Sequence, residues 1–228
     1  MNSKTNLTAI RNIAKKLLNL NVVHYPDVPP ELIVEHPYLT NIFIYQDDKL
    51  VNILEEPEAL LKYKKDMENI IDESDFAKNC ILIKKPYRLL YFKLCIPYLD
   101  NDDFSSTLGD LWISDENGSK NVNCSKQELL KWFKKADKKI LMLEDEYKHY
   151  KSTPDKICLY RGVSCYGVKE GISWTADLDM AKWFANRFSD DGKVFKTYVS
   201  KDDIICYFSR RGEDEYIIDP EKIKILSL

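Results

Sequence analysis

Arginine is scarce in this chain and unevenly placed. Of 34 basic side chains only six are arginines, and four of those, Arg161, Arg187, Arg210 and Arg211, fall in the last third. Five of the seven glycines fall there too. Lysine serves solubility, whereas arginine offers a rigid, permanently charged fork for carboxylate or phosphate. Glycine allows close backbone approach. Groups suited to anion recognition are therefore concentrated after about residue 156. Three short segments there carry polar side chains on or beside apolar strands: Arg161 in Leu159-Tyr160-Arg161-Gly162, Ser173 and Thr175 flanking Trp174, and Glu213 and Glu215 ahead of Tyr216-Ile217-Ile218. Two carboxylates two positions apart share a face of an extended segment, about 7 Å from each other. Each segment has an ordinary structural reading as well: a solvated strand-end arginine, a half-buried strand, a charged loop.

The elements expected to position these residues follow from pattern. Short strands are predicted at 157–160, 171–175, 194–199, 203–208, 215–218 and 223–226, with one helix from Leu178 to Phe188 capped by Asp177. Ahead of them the chain reads as mostly helical. Leu7, Ile10, Ala14, Leu17 and Leu18 form a stripe at helical spacing. Pro57 starts a helix to about Ile71, and Pro86 starts another with Leu89, Leu90 and Leu94 turned inward. Ser125-Lys126-Gln127-Glu128 is a capping box, and a further helix runs from about Lys138 to Tyr150. The expected class is α+β, with a helical scaffold or targeting region over 1–155 and a compact core over 156–228.

Composition narrows the function classes. The chain has 228 residues, an apolar fraction of 44% and a net charge of −3, which suit a folded domain without a general basic coat. No apolar run is long enough for a bilayer, and the first 20 residues lack the core of a secretory signal. The six cysteines form no C-x-x-C pair and the three histidines lie far apart, so no metal site is signalled. Reduced cysteines in a cytoplasmic protein are the expectation.

In their order and company, the three polar segments resemble the motifs of the mono-ADP-ribosyltransferase family of the arginine–serine–glutamate type. That family has an arginine ending its first core strand, a Ser-x-Ser or Ser-x-Thr strand, and a Glu-x-Glu or Gln-x-Glu ahead of an apolar strand. Here these are Arg161, Ser173 with Thr175, and Glu213 with Glu215, and Leu178 to Phe188 resembles the helix after the serine motif. The resemblance covers about residues 156–228 and departs from the pattern at Trp174, where many relatives carry threonine. It implies a split β-sandwich core, with NAD as substrate and no metal.

The resemblance also implies roles. Arg161 holds the phosphates, Gly162 leaves room for nicotinamide, and Glu215 faces the ribose and the developing cation. Ser173 orients Glu215, and Thr175 lies on the same face as Ser173. Tyr160 and Phe184 join the NAD-binding set, Phe184 with Trp183 by stacking. Glu213 serves the acceptor, and Arg210 with Arg211 grips the target macromolecule, a protein arginine or a nucleic acid. A toxin, an effector and a phage or defence modifier all fit this reading. The alternatives are NAD glycohydrolysis, with water as acceptor, and an inactive domain that binds NAD or a partner.

Overall fold

The structure, a computed structural model, describes residues 2–115, 121–165, 167–188 and 191–228. It is a mixed α+β protein. Two compact units divide between Phe104 and Ser105, inside one helix, rather than near residue 155 as the break at 152–155 had suggested.

The first unit is less helical than its sequence suggests. Helix α1 (Leu7–Leu18) is capped by Asn6 and buries the expected stripe of Ile10, Ala14, Leu17 and Leu18. Five short strands follow, which periodicity had not revealed. β1 (Val23–His24), β2 (Ile33–His36) and β3 (Leu39–Asn41) form one antiparallel sheet, and β4 (Phe43–Gln46) with β5 (Lys49–Asn52) forms a hairpin. The hairpin turns through Asp47 and Asp48, both with positive φ, as a two-residue turn between twisted strands requires. Pro57 opens α2 (Pro57–Glu73); α3 (Phe76–Leu82) and α4 (Lys85–Cys95) follow. In α4 the buried residues are Leu89, Tyr91, Phe92 and Cys95, Leu90 is half-buried, and Leu94 is 44% exposed rather than buried. Helix α5 (Asn101–Ser114) spans the division.

The second unit carries the polar segments. Helix α6 (Lys126–Lys135) begins at the capping box of Ser125 and Glu128. The single helix expected over 138–150 is two, α7 (Lys138–Leu141) and α8 (Glu144–Ser152), because Met142 and Leu143 are extended and Glu146 caps the second start through the Leu143 N–H. Six antiparallel strands form one sheet: β6 (Lys156–Val163), β7 (Ser173–Thr175), β8 (Lys193–Ser200), β9 (Ile204–Phe208), β10 (Glu215–Ile218) and β11 (Leu226–Ser227), in the order β11-β8-β6-β7-β10-β9. Helix α9 (Leu178–Asn186) follows β7, with Asp177 accepting from the amides of Asp179 and Met180.

β6 pairs with β8 along its whole length but with β7 only at Tyr160 and Thr175. The sheet is thus two three-stranded halves joined by one residue pair. Trp112, Phe133 and Phe208 form an aromatic cluster in this unit, Trp112 edge-on to Phe133 at 5.3 Å. Among the described residues, no helix is long and apolar enough to cross a membrane.

Candidate active site

The functional candidates meet where β6 and β7 part. One residue beyond the Tyr160–Thr175 pair, the Arg161 guanidinium donates from Nη1 to the Ser173 carbonyl at 2.6 Å and from Nε to the Val168 carbonyl at 3.3 Å. A side chain thus replaces the missing ladder bonds. The contact needs Gly171, since a Cβ there would lie 2.1 Å from the guanidinium carbon of Arg161. Burial draws the Arg161 pKa down to about 10, against the attraction of Glu215, so the group stays charged at neutral pH. The bidentate phosphate fork is therefore partly committed to the protein's own carbonyls. Nη2 alone has no hydrogen-bond partner among the described residues.

A cleft of about 380 Å³ opens at this gap, within the size range of small-molecule sites. It is lined by every expected NAD-site residue: Tyr160, Arg161, Gly162, Ser173, Thr175, Phe184, Glu213 and Glu215. Trp183 and Phe184 sit edge to face at 5.0 Å, and Trp183 is 55% exposed.

Glu215 is the most deeply placed acid in the cleft, 3% exposed. Its Oε2 accepts from the Trp112 indole N–H at 3.0 Å and from Arg211 Nη2 at 3.4 Å. Its Oε1 is buried with no hydrogen-bond partner among the described residues. In β10, Glu215 stands opposite Thr175, and Ser173 stands opposite Ile217. The expected bond from Ser173 to Glu215 is not formed. Trp112 anchors that carboxylate instead, and the Ser173 hydroxyl makes no hydrogen bond among the described residues.

Other roles shift in the same way. Gly162 does not keep space open for a ligand: the position of a Cβ there lies 1.9 Å from the Ala181 carbonyl oxygen and 2.6 Å from the Ala185 nitrogen, so the glycine lets α9 close on the sheet. The Thr175 hydroxyl donates to the Glu213 carbonyl at 2.8 Å and accepts from the Asp177 amide at 3.0 Å. It positions the glutamate segment and the start of α9. Glu213 and Glu215 do not lie on one extended strand, because Asp214 between them has φ 50°, a conformation that costs a non-glycine residue about 1–3 kcal/mol. Tyr207 holds Asp214 there by donating to its carboxylate.

Arg210 and Arg211 are not an exposed target grip. Arg210 pairs with Asp110 at 2.7 Å and with buried Glu146 at 3.3 Å, and donates to the Leu141 carbonyl. Arg211 reaches into the cleft and contacts Glu213 at 3.0 Å and Glu215 at 3.4 Å through the same nitrogen. The Glu213 carboxyl is pushed above the ordinary carboxylate range by burial, with Arg211 acting downward and Glu215 upward.

Trp112, Arg187 and Phe188 also line the cleft and were not among the expected site residues. Trp112 has the spacing of a core residue, one turn from Leu108, and nothing local marks it as a donor to a glutamate 103 positions away. Arg187 lies over the Trp183 and Phe188 rings at 5.4 and 5.3 Å, an aromatic-plus-arginine signal that its spacing on the helix does show. Comparisons with protein-family models, with curated proteins and with solved structures find no match for the chain.

Proposed function

We propose that the chain is an NAD-dependent mono-ADP-ribosyltransferase whose core, of the split β-sandwich type, lies in residues 105–228. One observation carries this reading. Glu215 is buried and anchored through one oxygen, its second oxygen has no partner among the described residues, and it lines a cleft shared with Arg161, Ser173 and Glu213. A buried carboxylate with an unmet acceptor suits a substrate that brings both a hydroxyl and a developing positive charge. The ribose of NAD brings both as its bond to nicotinamide breaks, as in glycoside cleavage.

In this reading Glu215 Oε1 accepts the ribose hydroxyl and stabilises the oxocarbenium-like transition state. Trp112 and Arg211 fix the carboxylate, so little reorganisation is needed as charge develops. Arg161 Nη2 offers one charge-assisted donor to the phosphates. Trp183 and Phe184 offer aromatic surface to a planar ring. Glu213 takes the proton of the attacking nucleophile, and a carboxyl with a raised pKa is the better base near neutral pH. Nicotinamide leaves as a neutral molecule and needs no acid. No disulfide joins any of the six cysteines among the described residues, which suits a reducing compartment such as the cytoplasm. The acceptor is a macromolecule, and labelled NAD in a whole-cell lysate, followed by protease or nuclease, assigns it to protein or nucleic acid.

The test uses the two glutamates. Glu215→Gln keeps the shape and removes the charge. It should lower nicotinamide release by roughly 10²–10³ while NAD still binds in calorimetry. Glu213→Gln should lower transfer strongly and spare slow hydrolysis to ADP-ribose. Nicotinamide release unchanged in both variants would sink the assignment.

A further inference from the structure

Arg211 places a guanidinium where an acceptor guanidinium would have to go. Its Nη2 lies 3.0 Å from Glu213 Oε2 and 3.4 Å from Glu215 Oε2, so one nitrogen bridges the acceptor carboxylate and the ribose carboxylate. The pairing is built in. The Arg211 side chain is only 25% exposed and that of Glu213 only 23%. Nη1 also donates to the Ile113 carbonyl at 3.5 Å, and Nε is buried without a partner among the described residues. A half-buried cation between two carboxylates is held more firmly than a solvated surface pair. A second guanidinium would have to displace it and leave its charge without a partner, or share the carboxylates against like-charge repulsion.

We infer that Arg211 is a specificity-determining residue that excludes guanidinium acceptors, and that the acceptor is an uncharged nucleophile, a hydroxyl or a neutral amine. The inference rests on the proposed transferase reading, and it separates this cleft from the arginine acceptor that a first glutamate in the motif implies. In the step, the bond from the ribose carbon to nicotinamide breaks and its electron pair leaves with nicotinamide. A lone pair of the neutral oxygen or nitrogen forms the new bond to that carbon, and the nucleophile's proton passes to the Glu213 carboxylate. Arg211 keeps a positive charge beside that carboxylate without offering a proton acceptor of its own. A neutral nucleophile can approach the base without competing for the cation's place.

The experiment compares the full chain with Arg211→Ala, using ethylguanidinium as the probe. The Trp112 indole N–H, bonded to Glu215, serves as the reporter in nuclear magnetic resonance titrations. Ethylguanidinium should shift that signal saturably in Arg211→Ala and leave it unmoved in the wild type. In parallel, ADP-ribose adduct formation with ethylguanidine, divided by each protein's own nicotinamide release without it so that the lost Arg211 hold on Glu215 cancels, should be at least about tenfold higher in Arg211→Ala than in the wild type. Arg211→Gln, which keeps amide donors in place, is read the same way if the alanine variant does not fold. Equal saturation or equal adduct formation on that scale in wild type and variant would overturn the inference. Failure of the probe to bind either variant would overturn it too. No nicotinamide release from any of the proteins would instead sink the NAD reading, and the acceptor assignment with it, even where the titrations differ.

Discussion

At the scale of single residues, the cleft depends on a donor that carries no charge. Trp112 gives its indole N–H to Glu215 and sits edge-on to Phe133, so Trp112→Phe keeps the ring packing and deletes one hydrogen bond to a buried carboxylate. Hydrogen bonds to charged groups are worth about 1.5–3 kcal/mol. The variant should lose about that much stability in denaturant unfolding and should also release nicotinamide more slowly. Full stability would mean that Arg211 alone is enough to hold Glu215. Arg161, Ser173, Glu213 and Glu215 could be found in the sequence because their types and order resemble a known motif set. Trp112 could not, because its spacing is that of any core aromatic and its partner is distant in the chain. The commitments of Arg210 and Thr175 escaped for the same reason: a side chain's type shows what it can bond, and only the fold decides which partner comes within reach.

At the scale of elements, the fit of α9 to the sheet is set by Gly162. Gly162→Ala places a methyl group against backbone atoms of α9, which cannot turn aside as a side chain can. A loss of about 3 kcal/mol, the upper end for overpacking, is expected, seen as a lower thermal midpoint. Gly212→Ala is the comparison. That site has open space and φ +70°, so its alanine meets backbone strain alone and should cost about 1 kcal/mol. Equal losses in the two variants would mean that the helix gives way.

Elements with a local chemical signal were legible. The capping box before α6, Pro57 at the start of α2 and the apolar runs of β9 and β10 appear within a residue or two of their expected places, and β6 starts one residue early and runs three residues further than expected. The strands between residues 23 and 52 were not, since runs of two to four residues are too short to establish a period of two. The break at Met142 and Leu143 was hidden because their side chains continue an apolar pattern while their backbone is extended.

At the scale of the whole chain, the division at 104/105 assigns α6, α7, α8 and the end of α5 to the same unit as the sheet. A fragment of residues 101–228 should unfold cooperatively by circular dichroism. A fragment of residues 156–228 should not, because it lacks Trp112, Phe133 and the Glu146 that holds the amide of Ser209 and the guanidinium of Arg210. A cooperative transition in the shorter fragment would show that the sheet with α9 stands alone. The gap between β6 and β7 has a consequence of another kind. Gly162 and Gly167 line the cleft through main chain only, and β6 beyond Tyr160 has no ladder with β7. Peptide groups at such an edge keep their hydrogen-bonding atoms whichever non-proline side chain they carry, so truncating or drifting side chains around the cleft would leave that wall's hydrogen-bonding capacity unchanged.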